Sequence, residues 1–180
     1  WQDLPRAKLV KFSLENPTLI DAGFKGCSQR NKTEQHEMES MGFMKKRMRM
    51  EEFQKFKAVI DIDGNSWSSR FFRLICMNSV VLKVQPNHID YFYPELKPLV
   101  HYLPVHGNLS NLIDMVSLAT SVDEDKQQQM KSIVENANDW CKQKVTFESM
   151  FLDMIWIMIS YIEILKKENL KSGSFSKWKD

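Results

Sequence analysis

KAVIDIDGNSWSSRFFRLICMNSVVLKV, residues 57–84, sets two short β-branched runs on either side of a segment of helical character. The first run, 57–63, is an apolar alternation that stops at Asp63-Gly64-Asn65. The second, SVVLKV at 79–84, reads as a strand again. Between them, SWSSRFFRLICM (66–77) opens on serines and continues apolar, the pattern of a capped helix. Strand, turn, helix and strand make one βαβ unit, and such units build parallel sheets.

The same alternation extends in both directions. Upstream, PRAKLVKFSLEN (5–16) reads as a helix halted by Pro17, TLIDAGF (18–24) as an extended segment, and 25–33 as a polar loop. Met38, Met41, Met44 and Met48 recur at helical spacing, with Lys45, Lys46, Arg47 and Arg49 at the end of the stretch. Such a stripe usually packs on a core, and cations in a last turn suit the helix dipole. EEFQKF (51–56) adds a further helical turn or two. Downstream, HIDYFYPEL (88–96) reads as a helical turn, LVHYLPV (99–105) as a strand, and 108–120 as a helix capped by Asn108 or Ser110. Two longer helices, about 123–142 and 146–168, precede a polar tail, KSGSFSKWKD. The expected fold is α/β, a parallel sheet with helices on both faces and ligands at the carboxyl ends of its strands.

Composition narrows the partners. The 180 residues hold 25 Lys+Arg against 23 Asp+Glu, a net charge of +2, which argues against nucleic-acid binding over the whole surface. Cys27, Cys76 and Cys141 show no metal-ligand spacing, no metal is expected, and Cys76 reads as a small buried residue. MFLDMIWIMISYIEIL (150–165) is interrupted by Asp153 and Glu163, and so reads as a buried helix rather than a membrane span.

Chemistry is sharpest at the Gly64 turn. If a helix starts just after it, free backbone N–H groups face the carboxyl edge of the sheet and form an anion site. Arg70 could aim a planar fork of donors there, and Ser68 a hydroxyl. Alternatively, Arg70 pairs with Asp61 or Asp63 and does no chemistry. Neither GxGxxG nor GxxxxGKT occurs. His101, Tyr102 and Lys83 read as structural or as pocket residues. Sequons stand at Asn31 and Asn108.

Taken in order, residues 57–84, YFYPELKPLVHYLPV (91–105) and NLSNLIDMV (108–116) resemble glycosyltransferase family 90, which includes capsule-associated transferases and protein O-glucosyl- and O-xylosyltransferases. The resemblance extends weakly through ENPTLIDAGF (15–24) and the terminal helices. It implies an inverting transferase of the two-domain GT-B type. Its donor is a UDP-sugar carrying a sugar such as glucose or xylose, its acceptor a hydroxyl on protein or glycan, and it needs no cofactor. This chain would be one Rossmann-like donor-binding domain, 1–180, with a C-terminal helix at 146–170 and a tail at 171–180. The acceptor-binding half and its general base would precede it. By the same resemblance Arg70 holds the donor diphosphate, with Ser68, Asp63 and Gly64 beside it and Asp21 near the nucleotide. Eukaryotic relatives imply the lumen of the endoplasmic reticulum or Golgi. The competing reading is a non-catalytic interaction domain of the same fold, in which the basic Met-rich stretch 38–49 meets a partner.

Overall fold

Three strands carry the fold: β1 (Ala58–Asp61), β2 (Val80–Val84) and β3 (Leu103–Val105), in the order β1-β2-β3 and all parallel. Every residue of β2 is buried, as expected of a central strand covered on both faces. The computed structural model describes residues 2–26, 32–64 and 66–172. Its two compact units are Trp1–Asn138, which contains the sheet, and Asp139–Asp180.

Register separates the two faces of the sheet. Ala58 pairs with Val80, Val59 with Val81, Ile60 with Leu82 and Asp61 with Lys83. Side chains alternate along each strand, so Val80, Leu82 and Val84 point one way and Val81 and Lys83 the other. The first face joins Leu103 and Val105 in a core closed by Leu9 of α1 (Pro5–Glu15), Leu112 and Val116 of α4 (Leu112–Thr120), and Met130 and Ile133 of α5 (Glu124–Lys144). On the second face α3 (Phe71–Leu74) packs on β1. Helices thus lie on both faces, as the sequence predicts.

Several boundaries differ, each for a local reason. The helix expected at 66–77 contracts to α3, because Phe71 N–H is taken by Ser68 O at 3.1 Å and residues 66–70 form turns. The Met stripe is not one helix face. α2 (Lys32–Ser40) ends in a Schellman motif, with Phe43 N–H on Met38 O at 2.9 Å and Gly42 N–H on Glu39 O at 3.0 Å. Gly42 carries the left-handed φ of +74° that this ending requires. Met38 is therefore buried with Ala7, Val10 and Phe43, while the basic residues beyond Met44 lie outside any helix. The strand expected at 18–24 is reduced to one bridge, Phe24 to Met44. The helical turn expected at 88–96 shrinks to a 3-10 turn, Tyr93–Glu95. The strand expected at 99–105 begins only at Leu103, since Leu99 at φ +61° and a Lys97–Tyr102 turn hold its first half. α4 starts at Leu112, not at Asn108.

Cys76 is half-buried and disulfide-bonded rather than a free buried thiol; Cys141 is disulfide-bonded too, and Cys27 and Asn31 lie outside the described residues. In the second unit, α6 (Phe147–Ser172) carries Phe147 stacked on Phe151 at 6.1 Å and leaves Trp156 67% exposed, so the expected buried helix is instead exposed among the described residues. No single helix among the described residues is long and apolar enough to cross a membrane.

Leu82 is fully buried at the centre of the sheet. Leu82→Ala should cost about 2–5 kcal/mol of stability. A lowered urea midpoint with an unchanged slope is the expected readout.

Candidate functional site

Parallel pairing sets Asp61 beside Lys83 on the second face, and this makes the floor of the site. Asp61 is wholly buried and Lys83 is 3% exposed. Lys83 Nζ donates to Asp61 Oδ2 at 2.8 Å and to Asp63 Oδ1 at 3.2 Å. The ammonium also lies 4.8 Å from the centroid of the Phe71 ring. Ser68 Oγ donates to Asp61 Oδ1 at 2.5 Å, and Asn87 N–H donates to Asp63 Oδ2 at 2.9 Å. Buried ions need such completeness, because an unpaired charge there costs several kcal/mol.

Two guanidinium groups converge above this floor, at the carboxyl end of β1. Arg70 Nη2 reaches Ile62 O at 3.4 Å and lies 3.7 Å from Asp61 Oδ1. Arg6, from the first turn of α1, donates through Nε to Asp63 O at 2.7 Å and through Nη2 to Ile62 O at 3.1 Å. A Cβ at Gly64 would meet Arg6 Nη2 at 3.4 Å, an ordinary contact, which places the turn directly beside this guanidinium. Burial lowers the pKa of Arg6, and the like charge of Arg70 lowers it further. Asp90 shifts upward, first through burial and then, against the pull of Lys83, through Asp63 and Asp61. Three cations (Arg6, Arg70, Lys83) are gathered with Asp61 and Asp63, and Asp90 lies within the same field.

Of the residues singled out in the sequence, Ser68, Asp63, Gly64 and Arg70 come together here. Asp21 does not; it pairs with Lys45 on another part of the cleft wall. The expected helix N-terminus at the Gly64 turn is absent, because α3 begins only at Phe71 and has four residues. Ser68 donates its hydroxyl hydrogen bond to Asp61, so it holds the floor rather than presenting a donor to the cleft. Arg70 neighbours Asp61, and its side chain stays 39% exposed. His101 Nδ1 accepts from Lys97 N–H at 2.9 Å, and Tyr102 OH meets Tyr93 OH at 3.1 Å, so both serve local structure. Arg6 was missed. It stands 57 residues from Asp63, and nothing in its own neighbourhood of sequence marks it.

The cleft above these groups has a volume of about 1370 Å³ and runs along the free side of β1, touching Arg6, Ile62, Gly64, Ser68 and Arg70. Its lining holds nine Lys or Arg and two acidic residues, Asp21 and Glu51. Such a space suits an anionic ligand of nucleotide size.

The family model described as glycosyl transferase family 90 matches residues 2–176. Protein O-glucosyltransferase 3 of Rattus norvegicus is 35% identical over 136 residues, covering 74% of this chain and 25% of that protein. Protein O-glucosyltransferase 1 of Homo sapiens is 30% identical over 124 residues, 68% of this chain and 31% of that protein. Protein O-glucosyltransferase 2 of Danio rerio is 27% identical over 169 residues, 93% of this chain and 32% of that protein. The chain thus spans about a quarter to a third of the length of these curated relatives.

Lys83→Met should leave Asp61 as an uncompensated buried charge and lower stability by about 3–5 kcal/mol. The double variant Asp61→Asn, Lys83→Met should recover part of that loss in the same denaturation experiment, because neither charge is then stranded.

Proposed function

The chain belongs to glycosyl transferase family 90, and from that membership we propose that it forms the donor-binding part of an inverting, UDP-sugar-dependent transferase of the GT-B type. The observation that carries this reading is the convergence of Arg6 and Arg70 at the carboxyl end of β1, above the Asp61–Lys83–Asp63 floor. Open α/β sheets bind ligands at that edge, and paired guanidinium forks suit a diphosphate in charge and geometry.

In this reading the donor diphosphate lies across Arg6 and Arg70, and the nucleotide extends into the cleft toward Asp21. An acceptor hydroxyl attacks the anomeric carbon in line; its proton passes to a carboxylate base outside these 180 residues, and UDP departs with the bonding pair. Negative charge grows on the leaving diphosphate during that step. The two guanidiniums are held in advance by Ile62 O and Asp63 O, so they stabilise that charge without reorganising. They would serve the leaving group in place of a metal ion. Similarity to protein O-glucosyltransferases supports glucose as the sugar and a protein hydroxyl as the acceptor. Disulfide bonding at Cys76 suits an oxidising compartment, in keeping with a secretory-pathway lumen.

Calorimetric titration of UDP tests the assignment. Arg70→Ala and Arg6→Ala, each folded by circular dichroism, should each weaken UDP binding by about ten- to a hundredfold, as loss of a charge-assisted hydrogen bond predicts. Equal affinity in the variants and the parent chain would sink the proposal.

A further inference from the structure

The charge of the cleft goes beyond what a sugar nucleotide requires. Arg6 and Arg70 belong to the carboxyl end of β1, and Lys45 is paired with Asp21. Six further cations line the same cleft: Lys25, Lys46, Arg47, Arg49, Lys57 and Arg73. All six are exposed, and none has an ion-pair partner among the described residues. In a chain whose net charge is only +2, this is strong segregation. Like charges gathered on one wall repel one another and are relieved by an anionic partner.

Their placement follows from the end of α2. The Gly42 turn sends residues 43–49 out of the helix and along Phe24, with Lys45 N–H on Phe24 O at 2.7 Å. Lys46, Arg47 and Arg49 therefore stand outside any helix rather than in a last helical turn, and they have no helix dipole to complement. Lys57 and Arg73 join them from the start of β1 and from α3. Between these cations the cleft shows Met48, Phe56 and Trp67, which are 37%, 39% and 52% exposed. Arg, Met and aromatic side chains together are the composition of a protein-binding surface.

We propose that this basic wall binds the acceptor, and that the acceptor is an acidic polypeptide segment whose Asp and Glu side chains flank the hydroxyl to be glycosylated. The inference rests on the reading of the cleft as a transferase site. The cations would steer and hold the segment, with Met48, Phe56 and Trp67 taking an apolar side chain beside the charges.

The test uses the 180-residue chain and a fluorescent Ser-containing peptide rich in Asp and Glu, read by anisotropy beside its Asn/Gln counterpart. The acidic peptide should bind at least tenfold more tightly, and raising salt from about 0.05 to 0.3 M should remove most of that preference. Lys46→Gln, Arg47→Gln, Arg49→Gln combined should weaken the acidic peptide at least tenfold and UDP by a clearly smaller factor, because the guanidiniums assigned to the diphosphate, Arg6 and Arg70, are left in place. Arg70→Ala should do the reverse. Equal binding of both peptides, tighter binding of single-stranded DNA than of the acidic peptide, or an unchanged affinity in the triple variant would overturn the proposal. Absence of UDP binding beside intact peptide binding would instead count against the donor site alone.

Discussion

One buried ion pair governs the arrangement of the site. Asp61 and Lys83 sit opposite each other on adjacent parallel strands, on the face that α3 covers. Neither charge could remain there alone, and each is completed by a neighbour: Ser68 on Asp61, and Asp63 on Lys83. That closure fixes three backbone segments at once. The end of β1 is tied to β2 by side chains as well as by the ladder, and the turn through Gly64 and the approach to α3 by side chains. A pair of hydrophobic residues would pack the same space, but would leave Ser68 and Asp63 without their partners.

Arg6 and Arg70 depend on this floor. Their contacts fall on the carbonyls of Ile62 and Asp63, so the position of the turn decides where both guanidiniums point. Two like charges held close are unfavourable by themselves, and burial of Arg6 adds to the cost. The carbonyls of Ile62 and Asp63 offset part of that cost by accepting hydrogen bonds from both side chains.

The alternation of strand and helix was legible in the sequence because β-branched runs at 57–63 and 79–84 are short, apolar and separated by turn residues. The register was not legible, since Val80, Leu82 and Val84 share a face in any register and only the pairing with β1 and β3 fixes their partners. Ser68, Arg70, Asp63 and Gly64 were legible as a group because a single turn holds them. Other features lay beyond periodicity. The Met stripe has helical spacing, yet Gly42 breaks the helix within it, and a left-handed ending is set by a few backbone hydrogen bonds rather than by the apolar pattern. Helical character at 66–77 was overestimated because the serines there bond within turns and to Asp61 instead of capping a helix. Arg6 reaches the site across 57 residues, a relation created only by packing α1 against the sheet.

The sheet's register also bears on how the chain acquires its shape. Val80 pairs with Ala58, 22 positions back, and Leu103 with Leu82, 21 positions back, so each rung closes a long loop before it is rewarded by contact. β2 is buried on both faces, and its cover comes partly from α4 and α5, which are made later than the strand. A growing polypeptide therefore displays the apolar run at 80–84 well before Leu112 and Ile133 exist to enclose it. Nascent chains in that condition are the ones that engage chaperones, and assembly of this sheet is a late event in synthesis, fixed by the order in which the chain emerges.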